Sequence, residues 1–90
     1  MKLQELFTDP TTWCQRDFAQ TSTGISIGPS NPEATCWCLA GGIMKCYPTE
    51  EYGIIRNTLS RRIGGPLLDW NDAPERTFEE VKALVEELDI

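Results

Sequence analysis

The chain predicts an α+β fold: a short N-terminal helix, a β-hairpin, then three helices packed in one small domain over residues 1–90. Three observations carry this reading. Helical spacing of apolar residues recurs at the start and in the C-terminal half, a Thr- and aromatic-rich stretch with a central Gly interrupts it, and the length leaves room for a single small core.

At the N-terminus, Leu3, Leu6 and Phe7 fall at helical intervals and Pro10 stops the segment. The stretch TWCQRDFAQTSTGISIG follows. Its Thr and aromatic content, the turn-prone TSTG and the period-two placing of Ile25 and Ile27 predict a hairpin. After GPSNP, Asn31 is placed to cap a helix with Pro32 at its first position and Glu33 complementing the dipole. The run from Pro32 to Cys46 is apolar nearly all round, so it predicts a centrally buried helix. Gly41 and Gly42 would each cost about 1 kcal/mol inside that helix, which close approach of another element would explain.

The next helix has Thr49 as its cap and Glu50 and Glu51 in its first turn. Tyr52, Ile55, Leu59 and Ile63 form its apolar stripe, Arg61 and Arg62 suit its C-terminal end, and Gly64 and Gly65 end it. Thr77 opens the last helix with Glu80 three residues on, a reciprocal capping box, and Phe78, Val81, Leu84, Val85 and Leu88 make its inner face. Between the two lies DWNDAPERT. Here Trp70 is expected to turn inward as an anchor, with Asn71 and Asp72 bonding to their own backbone, Arg76 pairing with Asp69 or Asp72, and Thr77 starting the helix.

Charge is unevenly placed. Residues 1–68 carry six acids and six bases, whereas residues 69–90 carry eight acids against Arg76 and Lys82, the whole net charge of −6. An acidic C-terminal quarter disfavours direct binding to a nucleic-acid backbone, whose phosphates need cations. The expected partner is a protein with a basic surface, met by Glu75, Glu79, Glu80, Glu86 and Glu87. Phosphate or partner contact by Arg56, Arg61 and Arg62 is the sharper reading of that group, the plainer being a solvated helix end that answers the acidic segment.

Catalysis finds little to work with. There is no His, the commonest general base, and AGGIMK and RIGGPL lack the spacing of a phosphate-cradling loop, so no catalytic residue and no cofactor are expected. Cys14, Cys36, Cys38 and Cys46 are expected as reduced, buried thiols. Cys36 and Cys38 would point about 200° apart on a helix, which argues against a zinc site, so no metal is expected either. The N-terminus reads as neither a secretory segment nor a membrane span, which gives a cytoplasmic expectation.

Ala34 to Gly41 (ATCWCLAG), the DWNDAPERT segment and then Glu79, Glu80 and Val81 resemble a family of small bacterial and phage proteins, domain of unknown function 6197. The resemblance spans most of the chain and departs at Gly42, where the family more often shows Ala. It implies phage or bacterial origin and carries no activity. The function expected is therefore a phage-type binding protein, an anti-CRISPR-like inhibitor of a host defence or nucleic-acid-handling protein. Two alternatives stand beside it: a metal- or thiol-redox protein using the four cysteines, and a structural homo-oligomeric accessory protein.

Overall fold

The computed structural model describes residues 1–90. Helix α1 (Leu3–Leu6) leads through a 3-10 turn at Pro10–Thr12 to strand β1 (Ala19–Gln20), strand β2 (Cys36–Trp37) and helices α2 (Leu39–Cys46), α3 (Thr49–Ile63), α4 (Leu67–Asp72) and α5 (Phe78–Leu88). The class is the α+β one expected, a short helix, an antiparallel strand pair and several helices around one core. That core takes side chains from every element: Leu3 and Leu6 of α1, Ala19, Trp37, Ile43 of α2, Leu59 of α3, Leu67 of α4, and Phe78, Val81, Leu84 and Val85 of α5.

The strands sit differently from the expected hairpin. Thr21 to Gly24 do turn the chain, with Gly24 in the left-handed region at φ 85°, but the arm after it pairs only at Gln20 and Ser26. The two-residue ladder is instead Ala19 with Trp37 and Gln20 with Cys36. The central helix is correspondingly shorter than Pro32–Cys46. Asn31 accepts from the Glu33 amide at 2.9 Å in a local turn, and helix begins only at Leu39, capped by the Cys38 thiol, which accepts from Gly41 N at 3.3 Å. An apolar run cannot by its periodicity tell a buried strand from a buried helix, and here it supplies both.

Gly41 has the close approach its position required. A Cβ there would lie 1.8 Å from the Phe18 carbonyl oxygen, so α2 meets, backbone to backbone, the residue just before β1. At Gly42 a Cβ would meet the side-chain ends of Leu3 and Phe7 at 3.0 Å. A further helix, α4, occupies the expected turn, and it is short because Pro66 precedes it and Pro74 follows.

Helix α5 matches expectation, and α3 differs at its start, where Pro48 rather than Thr49 is the N-cap and no side chain caps the helix. Gly64 ends α3 in the left-handed region at φ 77° and its N–H bonds to Ser60 O. At α5, Glu80 N donates to Thr77 Oγ1 at 3.2 Å while Thr77 N donates to Glu80 Oε1 at 3.0 Å, the reciprocal box.

Candidate functional site

The DWNDAPERT segment folds as the end of α4, a loop and the cap of α5, and its centre is Asn71. Leu67 and Asn71 are four apart, so they share the inward face of α4 while Trp70 lies about 100° round the helix. Both Leu67 and Asn71 are fully buried, and Trp70 is half-buried. Asn71, not Trp70, is thus the sealed-in residue. Its Oδ1 accepts from Trp13 Nε1 at 2.8 Å and from Leu39 N at 3.0 Å, and its Nδ2 donates to Cys14 O at 3.3 Å and to Asp72 Oδ1 at 2.9 Å. Both lone pairs and both N–H donors of the amide are used, as burial demands.

Neighbouring residues extend the clamp. Gln15 Nε2 donates to the carbonyls of Asn71 and Ala73, both at 2.9 Å. Asp72 Oδ1 also accepts from Arg16 N at 2.9 Å, which helps hold Arg16 at φ 74°. With Asp72 so engaged, Arg76 pairs with neither Asp72 nor Asp69. Its guanidinium stacks 3.8 Å from the Trp70 ring, its Nε donates to Trp70 O at 2.8 Å, and Nη1 reaches Glu80 at 2.9 Å. Three separated stretches, Trp13 to Gln15, Trp37 to Gly41 and Trp70 to Thr77, therefore converge on one buried amide. Sequence reasoning missed Asn71 as their hub; the available signal was its place four residues after Leu67.

The acidic residues divide into two sets. Glu80 is held by Thr77 and Arg76, Glu87 by the Arg62 guanidinium through both carboxylate oxygens, and Asp89 by Lys2 at 2.9 Å and Gln4 at 2.7 Å. The carboxyl groups of all three lie below their ordinary values. The causes, largest first, are the Thr77 amide for Glu80, Arg62 for Glu87 and Lys2 for Asp89. Glu75, Glu79 and Glu86 have no ion-pair partner in the protein and are exposed. On α5, Glu79, Ala83 and Glu86 are spaced by four and three residues, so they form the stripe opposite the buried Val81, Leu84 and Val85 and the partly buried Leu88. Arg62 answers the acidic segment, whereas Arg56 and Arg61 pair with no carboxylate.

All four cysteines are free thiols. Burial is the main cause that pushes the Cys14, Cys38 and Cys46 thiols up, the last to about 11, and the adjoining Cys36 adds to the effect at Cys14. Such thiols are poorly ionised and pack as small apolar groups. No group of three or more His, Cys, Asp and Glu side chains is placed to hold a metal ion. Cys38 is among the residues that line a cavity of about 310 Å³, with Arg16, Asp17, Phe18, Leu68 and Asp72. No helix is long and apolar enough to cross a membrane.

No curated protein and no solved structure matches the chain. One family does, over residues 4–88, and that span contains all three stretches gathered at Asn71. The chain belongs to the family of unknown function DUF6197.

Proposed function

We propose that the chain is a small acidic binding protein that docks a basic surface of a partner protein through the outer face of α5. In its specific form the reading is a phage-type inhibitor, anti-CRISPR-like, that covers the cationic groove of a host defence or nucleic-acid-handling protein in the cytoplasm. The observation that supports it is the division of the carboxylates. Glu80, Glu87 and Asp89 serve the fold, while Glu75, Glu79 and Glu86 are exposed and form no ion pair. Glu86 also sits near the negative end of the α5 dipole, an unfavourable placement that a cationic partner would relieve.

A charge-steered complex weakens as salt screens it. Affinity capture from a bacterial lysate, read by mass spectrometry at low and at high ionic strength, tests the reading. The expected result is a basic nucleic-acid-handling protein retained at low salt, released at high salt and lost from a Glu75→Lys, Glu79→Lys, Glu86→Lys variant. The same capture by that variant would contradict it.

A further inference from the structure

A second surface has the opposite character. Where α2 runs into α3, a groove of about 560 Å³ is lined by Phe18, Met44, Tyr47, Tyr52 and Arg56, together with two hydroxyl residues and no acid. Phe18 and Met44 are 44% and 38% exposed, large for apolar side chains in so small a protein. The exposure of Phe18 is built into the fold. Its carbonyl oxygen accepts from Cys38 N at 3.3 Å and rests where Gly41 lacks a Cβ, and the next residue, Ala19, is fully buried. The ring is therefore presented by a fixed backbone, which lowers the ordering cost of binding.

Arg56 supplies the groove's charge. Arg56 as a residue is half-buried, and its guanidinium lies 5.8 Å from the Tyr52 ring centre and donates from Nη1 to Tyr52 Oη at 2.9 Å. Its Nε and Nη2 donate to no group of the protein, and no carboxylate lies within ion-pair distance. A planar fork with two unused nitrogens beside aromatic rings matches a carboxylate attached to an apolar body. Aromatic residues, Met and Arg are also the residue types enriched at protein interfaces.

We propose that this groove binds a polypeptide segment in which an apolar anchor, seated against Phe18, Met44 and Tyr47, adjoins one carboxylate held by Arg56. The groove is lined by exposed and half-buried residues, which suits an elongated segment better than a small molecule that needs most of its surface covered. The molecule's net charge of −6 repels strongly acidic ligands, so a single carboxylate is the match. This site is independent of the α5 face and opposite to it in charge.

The test is a titration of the isotope-labelled full chain with a capped peptide whose centre is leucine-phenylalanine-glutamate, followed by amide and Arg56 Nε resonances. Saturable shifts are expected at Phe18, Met44, Tyr47, Tyr52 and Arg56. Binding should weaken about tenfold or more when glutamine replaces the peptide's glutamate, or in Arg56→Gln, with Arg56→Lys intermediate. Glu79→Lys with Glu86→Lys should leave peptide binding intact, which separates this site from the acidic face. Three results would overturn the proposal: no saturable shifts, shifts indifferent to both charge removals, or concentration-dependent shifts of the same residues without peptide, which would give the groove to a second copy of the chain.

Discussion

Replacing Asn71 by Ala strips two donors of their acceptor at once, the part-buried Trp13 Nε1 and the buried Leu39 N, and takes the Nδ2 donor from Cys14 O. A buried polar group left without a partner costs about 1–3 kcal/mol, so the two donors together give about 2–6 kcal/mol. A domain of 90 residues has roughly 5–13 kcal/mol in all, so the loss is a large share of its stability. Urea unfolding followed by tryptophan fluorescence measures it. The midpoint should fall with the slope unchanged, since the surface exposed on unfolding is the same. Asn71→Asp keeps the shape and the acceptor but sets a second carboxylate against Asp72, so it should be no milder at neutral pH. A loss under about 1 kcal/mol for Asn71→Ala, at constant slope, would refute the hub assignment.

Gly41→Ala should cost more than about 3 kcal/mol or prevent folding, because the added Cβ meets backbone; thermal melts should show Gly42→Ala as far milder, its Cβ meeting only the movable ends of Leu3 and Phe7 while Ala favours helix by about 1 kcal/mol. Arg76→Lys keeps charge but loses the flat stack and the bond to Trp70 O, for about 1 kcal/mol by urea unfolding and a Trp70 ring more open to iodide quenching. Glu80, Glu87 and Asp89 have depressed values in the folded state, so their contribution is present above the ordinary values of 4.5 and 3.8 and is lost as pH falls through the lower folded ones. The urea midpoint should accordingly fall in that acid range, and a midpoint that rises there would contradict the pairing.

How far the sequence reveals the molecule depends on whether the deciding signal is local. Helix α3 and helix α5 carry their own stops and caps, Gly64 at one and the Thr77 and Glu80 box at the other, and both are readable. Strand β2 is not, because Cys36 and Trp37 lie in a run apolar on all sides and their pairing with Ala19 and Gln20 is made across the chain. Helix α4 is too short for periodicity to show, so the inward turn goes to Asn71 where the hydrophobicity of Trp70 made it the expected anchor. The preference of Arg76 for Trp70 and Glu80 likewise follows from Asp72 being taken by Arg16 and Asn71. Among the acidic residues, their number and location are plain from the sequence. Which of them are committed to the fold emerges only once Arg62 and Lys2 are placed beside Glu87 and Asp89. The Phe18 groove has no local signature at all, since it is assembled from α2, α3 and the loop residues Phe18, Ser30 and Tyr47.

The measurement that tests the central claim most directly is a paired comparison of partner capture and melting temperature for two double variants of equal charge change. Glu79→Gln with Glu86→Gln should lose capture and keep its melting temperature, because neither carboxylate has a partner within the protein. Glu80→Gln with Glu87→Gln should melt earlier and keep capture below its transition. Equal capture loss in both, or capture retained by the first pair, would contradict the division of the acidic residues into those that hold the fold and those that meet a partner.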